Sequence, residues 1–333
     1  MMDVIGFGAI NLDEVHLVPS LTAVPGLRMH PGSEETVGRR DYDRLTTALK
    51  EMGTRPTLSG GGQAANTVYA LARLGFRTAM IGSVGADPEG ERLLTELAPV
   101  DVSQVLRGGR SARCVVVVDE NGERTLRVHP ADDPPALDPV AAWRSLGGAR
   151  CLHLTSLARA EDVAAQIALV EALPDDVTLS FDPGELYCRL GAEALAPVLK
   201  RTDALFLNER EAELLTGDSA FDGCYRLLRR EGAVLAGKKG ARGVEIIGRG
   251  ERFELPARAV AAVDPTGAGD VFAAGFLAGL LLDLDLHQCA LLGSEAAARS
   301  LTAPGRTGYP GRELLEALGL PAPEGPGAKG RRT

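Results

Sequence analysis

Short apolar runs alternate with segments of helical apolar period along most of this chain. The runs at Val4–Phe7, Thr78–Gly82, Cys151–Leu154, Val177–Phe181, Ala204–Leu207, Ala233–Ala236 and Gly243–Ile247 predict β-strands. Between them, Ala64–Leu74, Pro88–Leu97, Glu161–Leu173, Ala192–Lys200, Glu209–Leu215 and Ala220–Glu231 carry the spacing of amphipathic helices. Strand-helix-strand alternation of this kind predicts an α/β fold, a mostly parallel sheet with helices on both faces. After about residue 264 the pattern turns almost wholly helical, with helices expected over Ala268–Leu282, Leu286–Leu301 and Arg312–Leu318.

Two stretches break the alternation. Arg113–Asp119 and Arg124–His129 flank E-N-G-E, and Asn121-Gly122 predicts a type I′ turn, hence an antiparallel hairpin. Pro19–Ser59 is long and polar, with one helix-like piece at Tyr42–Met52. Loops of that length in a compact domain usually serve a site. Both stretches are assigned to one small β lid over the carboxyl edge of the sheet, in segments of about 14–59 and 107–135.

Composition narrows the class. The 333 residues suffice for a buried core, and a net charge of −9 argues against general attraction to nucleic acid or anionic membrane. The N-terminus has no basic lead and no long apolar run, and Val271–Leu282 is too short to span a bilayer, so a cytoplasmic protein is expected. The five cysteines, Cys114, Cys151, Cys188, Cys224 and Cys289, show no C-x-x-C spacing and are expected to be reduced. The Pro- and Gly-rich residues 321–333 are expected to fray as a flexible tail.

Open parallel sheets bind ligands beyond the carboxyl ends of their strands, and three stretches fall there. G-F-G-A-I-N-L-D at Gly6–Asp13 lacks the third glycine of a dinucleotide fingerprint; Asp13, just past the first strand, is either a carboxylate for a ligand hydroxyl or a solvated loop residue. S-G-G-G-Q-A-A-N at Ser59–Asn66 brings bare backbone to a helix N-terminus, with Asn66 one turn inside. D-P-T-G-A-G-D at Asp264–Asp270 sets glycines and a carboxylate at another helix start. First-turn amides and the helix dipole favour an anion, whereas Asp270 would repel a resting phosphate. The pair makes sense if Asp270 takes a proton from an attacking hydroxyl while the amides hold the charge in transfer, or if Asp270 is only a favourable first-turn residue. No G-x-x-x-x-G-K-[ST] occurs, since Gly237-Lys238 is not followed by Ser or Thr, and the five histidines are isolated.

Taken together these residues resemble the PfkB-type carbohydrate kinases, the ribokinase family. The marks follow the family's order: Gly61-Gly62 then Asn66 with L-A-R-L-G after it, N-E-R-E at Asn208–Glu211, and D-P-T-G-A-G-D. The likeness covers roughly residues 3–318 and implies one ribokinase-like domain over 1–320 with the lid inserted. It implies an ATP-dependent kinase with Asp270 as base, and Gly267, Ala268 and Gly269 as the anion hole. It places Asp13, Gly61, Gly62 and Asn66 on substrate hydroxyls. It places Asn208, Glu211, Gly237, Gly240 and Thr266 near nucleotide and phosphates, with Glu211 meeting Mg2+ through water. Asp264 is the residue that would approach a K+ ion, although the Pro304–Tyr309 stretch lacks the serine sought as its partner. A homodimer through the lid is implied as well.

The acceptor stays open. The lid segments contain one aromatic, Tyr42, which favours a sugar over a nucleoside needing a stacking platform. The helical insert before the glycines is similar to one in nucleoside-kinase branches and argues the other way. Arg28, Arg39, Arg40, Arg107, Arg110, Arg113 and Arg127 could hold the phosphate of a phosphosugar or form a solvated basic face. A catalytically silent sugar-binding protein on the same fold is the reading from another class.

Overall fold

The computed structural model describes residues 1–25 and 31–323, with the side chains of residues 160 and 161 excepted. Arg28, His30 and the predicted tail from 324 onward lie outside these residues. The main sheet has nine strands, β1 (Met2–Phe7), β5 (Thr78–Val84), β6 (Asp101–Arg107), β9 (Ala149–Thr155), β10 (Thr178–Asp182), β11 (Ala204–Asn208), β12 (Val234–Lys238), β13 (Val244–Gly248) and β14 (Glu251–Leu255), in the order β14-β13-β12-β11-β10-β9-β1-β5-β6. Every pairing from β6 to β12 is parallel, and β13 and β14 add an antiparallel edge.

Alternation along each strand divides the core. Val4, Met80, Cys151, Phe206 and Ile246 point into one layer with the helices Gln63–Arg73, Ala268–Leu281 and Leu286–Ser300. Ile5, Ile81, Leu152, Leu205 and Leu235 point into the other, with helices that include Ala160–Glu171 and Glu209–Thr216. Both faces are therefore covered, as the unbroken apolar runs predict.

The lid is a sheet in its own right. It has five strands in the order β3-β8-β7-β2-β4, formed by β2 (Asn11–Val18), β3 (Glu34–Thr36), β4 (Thr57–Gly61), β7 (Ala112–Asp119) and β8 (Arg124–His129). Along β7, Val115 and Val117 pack under the helix Arg39–Glu51, against Tyr42, Leu45 and Leu49. Cys114 and Val116 face the other way, towards Ala158 and Leu186 of the main body. One apolar strand thus serves two hydrophobic layers.

Several expectations are corrected. Asp13 lies not in a loop past the first strand but inside β2, paired with β7 and β4. That strand was hidden because it buries Asn11, Asp13, Glu14 and His16, which read as loop polarity. The hairpin exists, but its turn is not type I′: Gly122 alone has positive φ, at 78°, Gly122 N–H donates to Asp119 C=O, and Asp119 N–H donates to Glu123 C=O. This is a three-residue loop closed by a left-handed glycine. Edge strands β6 and β14 were missed because so many of their residues stay open to solvent. Residues 192–200 form two short helices, Gly191–Ala194 and Ala196–Arg201, because Pro197 lacks the N–H needed to continue the first. The helix expected over 220–231 stops after Tyr225, and the chain turns so that Arg230 reaches Asp203.

The helices Ala268–Leu281 and Leu286–Ser300 pack at backbone contact. A Cβ on Gly275 would stand 2.7 Å from Gly293 Cα and 2.8 Å from Leu292 O. This close packing fixes the helix that begins at the D-P-T-G-A-G-D stretch. Gly275→Val should therefore lower unfolding free energy by about 1–3 kcal/mol or more, because backbone cannot yield as a side chain can. Urea denaturation of the two proteins measures the difference.

Candidate functional site

The site forms where the main sheet's carboxyl edge meets the lid. Gly267 caps the helix Ala268–Leu281 with φ 77°, a left-handed value that suits glycine, and a side chain there would run into the Tyr309 hydroxyl. The turn before it is tied by Asp264, whose Oδ1 accepts from Thr266 N–H at 2.9 Å and whose Oδ2 accepts from Gly305 N–H at 2.9 Å. Amides of a first helical turn have no carbonyl inside the helix to bond. Gly267, Ala268 and Gly269 stand together at this helix start beside Asp270, with the Ala268 N–H donating to Pro265 C=O at 3.4 Å.

Asp270 is 8% exposed. Its Oδ2 accepts from Asn66 Nδ2 at 2.8 Å, and its backbone C=O accepts from Thr67 Oγ1 at 3.2 Å. The other end of the Asn66 amide accepts from Arg306 Nε at 3.1 Å. Gly62 starts the Asn66 helix at φ 101°. Gly61 lacks a side chain where one would strike the Asp13 carboxylate, and Asp13 Oδ1 accepts from Asn11 Nδ2 at 2.6 Å. Asp13, Gly61, Gly62, Asn66 and Asp270 thus belong to one corner.

A second group lies under β11 and β12. Asn208 and Glu211 form a capping box at the helix Glu209–Thr216: Asn208 Oδ1 accepts from Glu211 N–H at 2.9 Å, and Glu211 Oε2 accepts from Asn208 N–H at 2.7 Å. Gly237 gives its space to the Phe221 ring, so its missing side chain is explained by packing, whereas Gly240 is open with φ 59°. The structure adds Lys238, which the sequence reading passed over. Its Nζ donates to Asp182 Oδ2 at 2.7 Å and stands 3.6 Å from where a Cβ on Gly269 would lie. The lid contributes Glu34, whose N–H donates to Glu185 Oε2 at 3.0 Å and closes lid against body. The sequence held no signal for Glu34, since only folding brings β3 there.

Crowded acids raise one another. Burial, with the nearby charges of Asp182 and Asp13, lifts Asp270 to about 7, and the Asn66 hydrogen bond works against that rise. Burial lifts Asp13 to about 7, and burial with Glu211, Glu185, Asp270 and Asp13 lifts the half-buried Glu34 to about 8. Burial raises Glu211 too. For Lys238, Asp182 and Glu211 outweigh burial and hold the ammonium above its ordinary value. Among the described residues no group of three His, Cys, Asp or Glu could hold a metal ion, and no helix is long and apolar enough to cross a membrane. A depression of about 870 Å³ at the lid rim, lined in part by Arg39, Arg110 and Asp132, is a separate feature.

The pfkB family carbohydrate kinase model matches residues 36–310. This chain belongs to that family. Among its relatives, the ATP-dependent ribose-1-phosphate kinase of Halopiger xanaduensis is 37% identical, over 80% of this chain and 88% of its own. An uncharacterized sugar kinase of Archaeoglobus fulgidus is 34% identical, over 72% and 98%. The fold agrees with that of adenosine kinase from Sinorhizobium meliloti at a TM-score of 0.78, 21% identity and coverage of 95% and 98%. It agrees with that of ribokinase from Thermotoga maritima at 0.71, 21%, 96% and 99%. The protein is a kinase with the ribokinase-like fold.

The raised acids give a pH-dependent stability of definite sign. Near pH 4 the unfolded carboxyls ionise, while Asp13, Glu34 and Asp270 stay protonated in the fold until about 7–8. The fold then binds more protons than the unfolded chain, so this contribution is present at low pH and lost as pH rises through that window. Asp13→Asn should leave stability unchanged below about pH 4, raise it progressively as pH climbs from there to about 7, and level off above that at a gain of about 2 kcal/mol or more. Thermal or urea melts across that range check the trend.

Proposed function

We propose that the protein transfers the γ-phosphoryl group of ATP to a hydroxyl of a small sugar, with Asp270 as general base. The observation that carries this reading is Asp270 itself, lifted to about 7 and held by Asn66 at the left-handed, glycine-capped start of its helix. The acceptor oxygen bonds to the γ-phosphorus as its proton passes to Asp270. The bond from that phosphorus to the bridging oxygen breaks, and ADP leaves. The amides of Gly267, Ala268 and Gly269 face the phosphoryl group in transfer, and Lys238 adds a positive charge across Gly269. Asp13, Gly61, Gly62 and Asn66 orient the acceptor.

Magnesium fits as an ion that arrives with the nucleotide. No described cluster could ligate it directly, but Asp182 Oδ1 is buried without a partner and Glu211 stands beside it, so water-mediated contacts are available. When bound it neutralises phosphate charge. Asp264 already accepts two backbone hydrogen bonds that shape the turn, and tying that turn is its role.

A sugar is preferred over a nucleoside because Tyr42 is engaged elsewhere: it stacks on His129 at 5.1 Å and donates to Glu14 at 2.7 Å. Relatives of both acceptor classes exist, named fructokinase in Escherichia coli and cytidine kinase in Thermococcus kodakarensis. A homodimer through the lid would have to use its strand edges, since the helix Arg39–Glu51 covers the face away from the main body.

Asp270→Asn should lower kcat by about 10²–10⁴-fold with little change in the KM for ATP. Sugar binding with no turnover in the unaltered protein would favour the silent binder instead. The kcat/KM for the acceptor should climb with pH to a plateau, with its midpoint near 7. Asn66→Ala should move that midpoint up, because the hydrogen bond that favours the ionised form is gone. A pH-rate series with coupled detection of ADP reads all three quantities.

A further inference from the structure

The arginines that the sequence offered for a phosphate are largely committed. Arg39 pairs with Asp132, Arg107 with Glu91, and Arg113 with Glu14 and Glu89. Arg306, in the turn Gly305–Gly308 after the long helix, was not among them. Its Nε donates to Asn66 Oδ1 at 3.1 Å, and its guanidinium carbon lies 5.3 Å from the centre of the Tyr69 ring. NH1 would stand 2.9 Å from a Cβ on Gly60. NH1 and NH2 are both covered from solvent and have no hydrogen-bond partner among the described residues.

The carboxylates around this guanidinium are engaged with other donors. Asp13 Oδ1 accepts from Asn11, Glu96 accepts from Gly60 N–H and Arg92, and Asp264 accepts from Thr266 and Gly305. They balance the charge across space, but none of them makes a hydrogen bond to NH1 or NH2. Burial pulls the Arg306 pKa below its ordinary value. Leaving two donors of a buried cation unpaired is costly and calls for an explanation. The position supplies one, because Arg306 and Asp270 hold opposite ends of the same Asn66 amide. An acceptor with one hydroxyl at Asp270 has its far side near Arg306. The Tyr309 hydroxyl stands beside Gly267, the cap of the helix that carries Asp270. Two guanidinium donors and a phenol match the three terminal oxygens of a phosphomonoester better than the two of a carboxylate.

We propose that the acceptor is a sugar that already carries a phosphate, that Arg306 clamps that phosphate through NH1 and NH2, and that the product is a bisphosphorylated sugar. The proposal rests on Asp270 as the base of a kinase, and deepens that reading.

The test follows ADP release from Mg-ATP with ribose 1-phosphate, ribose 5-phosphate and fructose 6-phosphate, each beside its unphosphorylated sugar, with gluconate and adenosine as further arms. At least one sugar phosphate should exceed its free sugar by about 100-fold or more in kcat/KM. Arg306→Gln should lower that value by about 100- to 1,000-fold, chiefly through KM, and lower the free sugar's value by far less, because the lost bond to Asn66 is common to both acceptors and the lost fork is not. Arg306→Lys should restore part of it, since one ammonium keeps the charge and loses the fork. Preference for a free sugar, adenosine or gluconate, or equal loss on phosphorylated and free sugars in Arg306→Gln, overturns the clamp and leaves the kinase standing. If no acceptor turns over, the kinase reading fails, and calorimetry decides the clamp separately. Heat from a sugar phosphate with the unaltered protein and none with Arg306→Gln supports it, and silence in both overturns it.

Discussion

Asn66 keeps two opposite charges apart. Its amide nitrogen donates to Asp270 at 2.8 Å and its oxygen accepts from Arg306 at 3.1 Å. Without that spacer, a buried carboxylate and a buried guanidinium at this corner would gain most by meeting each other, and each would be neutralised. With it, both stay separately presented. The helix Gln63–Arg73 holds the spacer, the glycine-packed helix Ala268–Leu281 holds the carboxylate, and the turn after Leu286–Ser300 holds the guanidinium. Three elements on one face of the main sheet therefore act as a single frame.

The lid completes that frame. Glu34 enters the acidic cluster from β3 and bonds to Glu185 of the body, so lid and sheet share the electrostatic cost of the same group of carboxylates. On the proposed reading the benefit is exclusion of water, which would otherwise accept the phosphoryl group. The lid can stand over the site as a rigid unit because it has two hydrophobic layers of its own, one under Arg39–Glu51 and one against Ala158 and Leu186. The helix Arg39–Glu51, legible in the polar stretch as the piece at Tyr42–Met52, is what turns a loose flap into a folded one.

What could be read from sequence divides along physical lines. The parallel strands were legible because burial on both faces leaves an apolar run with no polar interruption, as at Ala204–Leu207. β2 was not, because its side chains serve the site and its ion pairs: Asp13 bonds to Asn11, Glu14 to Arg113 and Tyr42, His16 to Thr54. Polarity in a strand reads as a loop until its partners are known. Within the site, Asp270 and the glycines stood out because their order along the chain is local. Lys238 and Arg306 did not, since their meaning comes from contact with residues far away in sequence, Asp182 and Asn66. Glu34 is the extreme case, a residue with no local pattern that only tertiary closure brings among other acids.

Gathering so many carboxylates costs stability, and the fold shows how the cost is contained. Lys238 is fixed between Asp182 and the glycine turn, where it offsets part of the repulsion around Glu211 and Asp270. The remainder is met by protonation, which is why Asp13 and Asp270 stand near 7 and Glu34 near 8 instead of at ordinary carboxylate values. On the proposed reading, a base with a pKa close to neutral is well matched to deprotonate an alcohol near that pH, for it is free in part and still basic. The same crowding that weakens the ligand-free fold therefore tunes Asp270, and the two effects cannot be separated by adjusting any one neighbour. Moving a single charge in the cluster changes stability and basicity together.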